Sequence, residues 1–220
     1  MIPFRPQAVV FDLDGVLVDS EAIWAQAEAE TVAGLGGTYT RELSELLYGR
    51  GHRDGAGLLA ERFGGDAEAL ADTLLGHALA GIRGGLEPLP GARELVESLR
   101  GAVPLGVASN SVRVIVETAL ASVGLDGVFD AVVCGEDAAQ PKPAPDPYLV
   151  ACRALAAEPA RSVALEDSPV GVASAKAAGL YVIGVPSVRD VALTEAHVVV
   201  RSLVGLDLMR AAPRASARRA

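Results

Sequence analysis

Four acidic side chains stand at the ends of two short apolar segments that lie far apart in the sequence. Asp12 and Asp14 follow one segment, and Glu166 and Asp167 end another. Carboxylates that lie close together repel one another unless a cation holds them, and oxygen ligands favour a hard ion such as Mg²⁺. A carboxylate beside the metal is also a potential nucleophile, because carboxylates form aspartyl-phosphate intermediates. These residue types therefore predict metal-assisted chemistry on a phosphoryl group.

A hydroxyl and an amine follow two further apolar segments. Ser109 comes directly after residues 103–108 and precedes a helix-like segment, and Lys142 lies in the loop after residues 131–135. A lysine ammonium, a hydroxyl and the backbone N–H groups of a helix start all bind phosphoryl groups. Each residue alone is equally typical of a helix cap or a surface loop. The ordered set, with each member after a strand-like segment, favours one shared site.

Six apolar segments rich in β-branched residues predict the strands that would position these groups. The segments are 8–11, 103–108, 131–135, 162–166, 181–185 and 197–200. Helical patterns lie between most of them, as at 91–99, where apolar residues recur at i, i+3, i+4 and i+7. Strands that alternate with helices predict an α/β fold, a Rossmann-like parallel sheet with helices on both faces. Ligands bind at the carboxyl edge of such a sheet, where distant residues meet.

Residues 19–87 contain no strand-like segment and predict a separate helical part of the chain. Pairs of glycines divide this part into four helical pieces. The pieces are 21–33, 40–48, 55–63 and 66–80. We expect a Rossmann-like core of residues 1–18 and 88–220, with residues 19–87 inserted as a helical cap. The basic tail at 212–220 is expected to be a frayed end.

Composition excludes several classes of protein. Half of the 220 residues are hydrophobic and 21% are charged, which is enough apolar material for a core and excludes general disorder. A net charge of -9 argues against a nucleic-acid partner, and no segment approaches the ~18 apolar residues of a membrane helix. The first residues lack the pattern of a secretory signal, and two cysteines make no disulfide scaffold. We expect a cytoplasmic protein that is a monomer or a weak homodimer.

Four ordered segments resemble the haloacid dehalogenase superfamily of phosphohydrolases, in the branch of the sugar phosphatases and β-phosphoglucomutase. They are FDLDGVLVDSE at 11–21, VASNS at 107–111, PKPAPDPY at 141–148 and LEDSPVGVASAKAAG at 165–179. The resemblance extends from the first strand to about residue 185. It implies a Rossmann-like core with a helical cap after the first motif. One departure is Pro141, where members of the family often have glycine, and proline stiffens the loop of the motif lysine.

The resemblance implies a role for each matching residue. Asp12 would attack phosphorus and form an aspartyl phosphate. Asp14 would protonate the leaving oxygen and then activate water, for which it must hold a proton at the start of the reaction. Ser109 and Lys142 would bind the transferring phosphoryl group.

The same resemblance implies a Mg²⁺ site at this edge of the sheet. Asp12, the backbone carbonyl of Asp14 and Asp167 would be ligands, with Glu166 binding directly or through water. Gly15 would let the chain turn tightly after the second aspartate.

Further residues are expected to contact the substrate. Asn110 would add a hydrogen bond to the phosphate or to Asp14. The segment at 49–54 concentrates charge, so Arg50, His52 or Arg53 could reach hydroxyls or a second anionic group of the substrate. Solvated loop residues would give the same pattern.

Residues that are absent narrow the expected activity. The chain has two lysines, Lys142 and Lys176, so the cap segment has none for the Schiff base of the phosphonate-cleaving relatives. True dehalogenases lack the second aspartate, whereas Asp14 is present. Trp24 stands where the mutases carry histidine, and we expect it to pack between cap and core or to line the pocket. We therefore expect an enzyme, a Mg²⁺-dependent phosphatase of a small phosphorylated metabolite such as a sugar phosphate. The alternatives are a β-phosphoglucomutase-type mutase and a binding module without catalysis.

Overall fold

A six-stranded parallel sheet forms the centre of the protein. The computed structural model describes residues 2–48, 50–186 and 191–209. The strands are β1 (Ala8–Phe11), β2 (Leu105–Ala108), β3 (Ala131–Val133), β4 (Ser162–Glu166), β5 (Tyr181–Gly184) and β6 (Val198–Val199). Their order in the sheet is β3-β2-β1-β4-β5-β6, and each lies inside one of the predicted segments. The predicted α/β fold is confirmed.

The described part of the chain contains eight α-helices. They are α1 (Glu21–Gly34), α2 (Arg41–Leu47), α3 (His52–Phe63), α4 (Ala67–Gly84), α5 (Ala92–Leu99), α6 (Arg113–Ser122), α7 (Asp146–Ala154) and α8 (Pro169–Ala177). Helices α1 to α4 follow β1, and we call these four helices the helical insert. They share an apolar cluster of their own, in which Val32, Leu43 and Leu59 are buried.

The start of α3 and the position of Ser109 relative to α6 differ from the prediction. Helix α3 begins at His52, so His52 and Arg53 lie in a first helical turn and not in a loop. Gly51 provides an extended N-cap, and Asp54 places a negative charge in the first turn, where the helix dipole favours it. Helix α6 begins at Arg113, so Ser109 lies in the loop before the helix and not at its N-terminus.

Successive residues of β1 point to opposite faces of the sheet, and helices cover both faces. Val9 and Phe11 belong to the cluster that includes residues of α5 and α6. Ala8 and Val10 belong to the cluster of α7 and α8. Because both faces are covered, β1 reads as a continuous apolar segment without alternation.

The sheet reverses its order of connection beside β1. The chain runs from β1 to β2 and β3 on one side, and β4 to β6 lie on the other side. The carboxyl ends of β1 and β4 are therefore neighbours at the switch point, where ligands bind in open parallel sheets.

Two sequence-based expectations concern membranes and the tail. None of the helices among the described residues has the length and apolar character needed to span a bilayer. The basic tail at 212–220 lies outside the described residues.

Candidate active site

Asp12, Glu166 and Asp167 form a buried acidic cluster at the carboxyl ends of β1 and β4. Parallel pairing places Phe11 opposite Leu165, and the Asp12 N–H donates to the Leu165 carbonyl at 3.0 Å. One carboxylate oxygen from each member of the cluster lies within 4.8 Å of the others. The register of two neighbouring strands thus brings together residues that are more than half the chain apart.

Lys142 enters this cluster from the loop between β3 and α7. Its Nζ donates to Asp12 Oδ1 and to Glu166 Oε1, each at 2.6 Å, and the residue is 7% exposed. Burial alone would lower the pKa of Lys142, but the two carboxylates outweigh burial and raise the pKa above its ordinary value. The lysine is therefore a charged ammonium that contacts the residue predicted to be the nucleophile.

One ammonium does not balance three buried carboxylates. Burial raises the pKa of Asp12 well above its ordinary value; Lys142 opposes this shift and Glu166 adds to it. Burial, followed by repulsion from Glu166, raises the pKa of Asp167 to about 7. A divalent cation among these oxygens would supply the missing charge, and an all-oxygen set of this kind suits Mg²⁺. The residues present fit a metal site.

Residues around Glu166 hold its carboxylate in place. Tyr148, whose side chain is completely buried, donates to Glu166 Oε1 at 2.6 Å. Ser168 donates to Oε2 at 3.3 Å. A Cβ on Gly171 would lie 1.9 Å from the carboxylate, so α8 approaches Glu166 through a position that only glycine fits. These contacts fix the Glu166 carboxylate, which also accepts a hydrogen bond from Lys142.

Asp14 accepts hydrogen bonds from three side chains. Its Oδ1 accepts from the hydroxyl of Ser20 and, at 3.3 Å, from Trp24 Nε1. Its Oδ2 accepts from Ser111 Oγ at 3.3 Å. Trp24 also packs against the hydrophobic core and lines the cleft, so it has both of the positions expected for it. These donors fix the orientation of the carboxylate beside the cleft.

Ser109 and Asn110 occupy the loop after β2. Ser109 is 1% exposed, lines the cleft, and accepts from the N–H of Ser111 at 3.0 Å. The amide of Asn110 accepts from the Lys142 N–H at 2.8 Å and donates to the Lys142 carbonyl at 3.3 Å. In this structure the Asn110 amide therefore holds the backbone of the lysine loop, while Asp14 is contacted by other side chains.

Gly15 is required by backbone conformation and by space. Its φ is +77°, in the left-handed region that favours glycine. A Cβ at this position would lie 2.0 Å from Asp167 Oδ2. The tight turn predicted here therefore also lets the backbone approach the acidic cluster.

The helical insert and the edge of the sheet enclose one cleft above the cluster. Arg50 and His52 line this cleft, and burial followed by the charge of Arg53 lowers the pKa of His52. Arg53 itself is exposed and donates to Glu68 at 2.9 Å, so its guanidinium is paired outside the cleft lining. Of the three residues predicted to contact the substrate in this segment, Arg50 and His52 therefore line the cleft and Arg53 does not.

Sequence reasoning missed Tyr48, Ser111 and Tyr148. Tyr48 lies at the end of α2 and donates to Asp167 Oδ2 at 3.0 Å, across 119 positions of sequence. Ser111 and Tyr148 stand inside the quoted motifs, so their positions offered a signal. Nothing in the pattern of the insert distinguished Tyr48 from the other tyrosines.

The buried acidic cluster and its lysine lie within a part of the sequence that matches a family of hydrolases. Residues 6–179 match the haloacid dehalogenase-like hydrolases, and the chain belongs to this family. The family membership predicted from the four motifs is confirmed.

Relatives with known names match over most of the chain. Validoxylamine A 7'-phosphate phosphatase of Streptomyces hygroscopicus subsp. limoneus is 31% identical over 90% of this chain and 94% of its own. Fructose-1-phosphate phosphatase YqaB of Escherichia coli is 31% identical over 82% of this chain and 97% of its own. The predicted enzyme class, a phosphatase, is confirmed by these matches.

A solved structure has the same fold. A mutant of CbbY from Rhodobacter sphaeroides in complex with xylulose-(1,5)bisphosphate superposes with a TM-score of 0.83. The two proteins are 29% identical, and the match covers 91% of this chain and 96% of that one.

Proposed function

We propose that this protein is a Mg²⁺-dependent phosphatase that releases phosphate from a small phosphorylated metabolite, a sugar phosphate, through an aspartyl phosphate on Asp12. The observation that carries the proposal is the contact of Asp12 with Lys142 at 2.6 Å inside the buried acidic cluster. A nucleophilic carboxylate beside a fixed ammonium suits attack on an anionic phosphoryl group.

Asp12 performs the first displacement in this proposal. One of its carboxylate oxygens forms a bond to phosphorus while the bond from phosphorus to the ester oxygen breaks. The proton of Asp14 passes to the departing oxygen, so the leaving group departs as a neutral alcohol. Ser109 and Lys142 bind the phosphoryl oxygens during the transfer.

Asp14 then reverses its role. It takes a proton from water as the water oxygen attacks phosphorus, and the bond between phosphorus and Asp12 breaks to release inorganic phosphate. The hydrogen bonds from Ser20, Trp24 and Ser111 support this proposal because they aim the Asp14 carboxylate.

The acidic cluster is the proposed site for Mg²⁺. Asp12 and Asp167, with the carbonyl of Asp14, would hold the ion, and Glu166 would assist while it keeps Lys142 in place. When bound, Mg²⁺ supplies positive charge for the phosphoryl oxygens. Burial, followed by repulsion from Glu166, raises the pKa of Asp167 to about 7, and a bound cation would stabilise its carboxylate form.

Residues 19–87 act as the cap of the proposed enzyme, with residues 1–18 and 88–220 as its catalytic core. Ser20, Trp24 and Tyr48 of the helical insert all donate to carboxylates of the core. A cap in this position excludes water and contacts the leaving group. The sugar-phosphate substrate is supported by the names of the two phosphatases that match.

A panel of phosphorylated metabolites tests the proposal. Purified protein is incubated with each compound in Mg²⁺ or in EDTA, and released phosphate is measured. We expect release from at least one sugar phosphate, loss of release in EDTA, and loss in Asp12→Asn. Release that persists in EDTA or in Asp12→Asn would contradict the mechanism, and isomerisation of glucose phosphates without free phosphate would establish the mutase alternative.

A further inference from the structure

The wall of the cleft that faces the leaving group is acidic. Among the described residues of the insert and its entry, Asp19, Glu21 and Glu28 line the cleft as carboxylates, and Arg50 is the lining guanidinium. A phosphate ester is itself an anion, so carboxylates on this wall repel it unless the substrate offers them something to bind. The leaving group is therefore expected to carry hydrogen-bond donors or positive charge that these carboxylates can bind.

Helix α1 turns one specific face to the cleft. Glu21, Trp24, Ala25 and Glu28 line it, at spacings i, i+3, i+4 and i+7. Glu21 and Trp24 lie at the end near Asp14, and Glu28 lies one turn beyond them. Glu28 thus lines the cleft one helical turn beyond Trp24, the residue of this face that contacts Asp14.

Glu28 is held by a partner within the insert. The hydroxyl of Tyr39 donates to Glu28 Oε2. A carboxylate fixed in this way is a preorganised acceptor, and it stabilises donors on a ligand at little cost in side-chain entropy.

Among the described residues, few cationic groups on this wall could bind a second phosphate. Arg50 follows α2, donates through Nε to the Leu46 carbonyl of that helix at 2.8 Å, and has an exposed side chain. Arg53 is paired with Glu68. Burial, followed by the charge of Arg53, lowers the pKa of His52 and so disfavours its cationic form.

We propose that Glu28 is a specificity-determining residue, which accepts a hydrogen bond from a donor on the leaving group and repels a second phosphate there. The enzyme then selects monophosphates of polyols or amino sugars over bisphosphates. This inference rests on the proposed phosphatase function and adds the class of leaving group.

Kinetics with a matched pair of substrates test the inference. The ratio of kcat/KM for fructose 1-phosphate to that for fructose 1,6-bisphosphate is measured for the wild type, Glu28→Gln and Glu30→Gln. We expect a wild-type ratio of about tenfold or more, and a roughly threefold or greater fall of the ratio in Glu28→Gln. Glu30→Gln removes the same charge from the same helix, on a side that faces Gln26 and His77. It should leave the ratio unchanged.

A second pair identifies the donor. If Glu28→Gln also lowers the preference for glucosamine 6-phosphate over glucose 6-phosphate, the donor is an ammonium. If that preference is unchanged while discrimination against the bisphosphate falls, the donor is a hydroxyl.

The inference and the proposed function can fail separately. Absence of phosphate release from all of these sugars and from p-nitrophenyl phosphate would contradict the phosphatase function. The inference is then decided by calorimetric binding of the fructose pair to Asp12→Asn in Mg²⁺. Equal or tighter binding of the bisphosphate, or a kinetic ratio that Glu28→Gln does not change, would overturn it.

Discussion

At the level of single residues, the site depends on the Lys142 ammonium, which donates to both Asp12 and Glu166. Lys142 contacts Asp12 and Glu166 at the same distance, 2.6 Å, and lies over the ring of Tyr148 at 5.1 Å. Because Glu166 is completely buried, its charge is stabilised by the side chains that contact it and not by water. The hydroxyl of Tyr148 is therefore part of what positions the lysine.

Replacement of Tyr148 by phenylalanine tests this positioning. Tyr148→Phe removes one donor to the buried Glu166, and a hydrogen bond to a charged group contributes about 1.5–3 kcal/mol. We expect kcat/KM for a substrate from the panel to fall by about tenfold or more, mainly through KM, because Lys142 binds the phosphoryl group.

Tyr181→Phe is the matched control. Tyr181 stacks on His197 at 4.6 Å, away from the cleft lining, and its substitution should leave kcat/KM within about twofold. Unchanged kinetics in Tyr148→Phe would show that Glu166 and Lys142 are positioned without the tyrosine.

The residues predicted from sequence are those that directly follow strand ends. Asp12, Glu166 and Asp167 could be placed together because the carboxyl ends of parallel strands share one edge. Tyr48 could not be placed, because its contact with Asp167 depends on how the insert packs over the sheet. The position of Asn110 was predicted, but its clamp on the Lys142 backbone depends on the path of two loops.

Among the helices, α8 packs directly against the Glu166 carboxylate, and a glycine at the contact makes this possible. Ser168 accepts from the Gly171 N–H at 3.0 Å and caps the helix, as the sequence Ser-Pro predicts. The first turn of α8 then lies against the carboxylate, and a Cβ at Gly171 would overlap it.

Gly171→Ala is expected to destabilise the protein. The added methyl group must displace Glu166 or α8, and overpacking of this kind costs about 1–3 kcal/mol. The free energy of unfolding, measured by chemical denaturation, should fall by that amount.

Gly76→Ala is the matched control in α4, where no atom lies within 4 Å of the added Cβ. There the better helix propensity of alanine should stabilise by about 0.5–1 kcal/mol. Equal effects of the two substitutions would contradict the close approach of α8.

Element identity was easier to predict than element ends. All six strands lie inside predicted segments because each belongs to a short run rich in apolar and β-branched residues, even β6, where Val199 is exposed. The start of α3 was predicted three residues late, since the charged segment around His52 is also typical of a loop. Ser109 was placed too close to α6, which begins four residues later with Val112 as an N-cap that provides no side-chain bond.

At the scale of the whole molecule, the acidic cluster couples stability to pH and to metal. The pKa of Asp167 is about 7 in the folded protein, well above the ~3.9 of an unfolded aspartate. Between these values the folded state holds a proton that the unfolded chain has released. The contribution of Asp167 to the free energy of unfolding is therefore fully present below about pH 4 and is lost as pH rises to about 7.

Thermal unfolding checks this sign. In EDTA, the Tm of the wild type relative to Asp167→Asn should fall between pH 5.5 and pH 8, because the amide does not titrate. Saturating Mg²⁺ at pH 8 should raise the Tm of the wild type by on the order of 5 °C, and that of Asp167→Asn much less. Parallel pH curves for the two proteins, or equal responses to Mg²⁺, would contradict this role of Asp167.

If Asp12 carries the phosphoryl group during turnover, acid quenching should trap the aspartyl phosphate. Wild-type protein is mixed with a substrate from the panel in Mg²⁺, quenched in acid within one turnover, digested, and analysed by mass spectrometry. We expect a phosphoryl adduct on the peptide that contains Asp12, and none in Asp12→Asn. A phosphoryl adduct on another residue, or release of phosphate with no adduct at any time point, would contradict an aspartyl phosphate on Asp12.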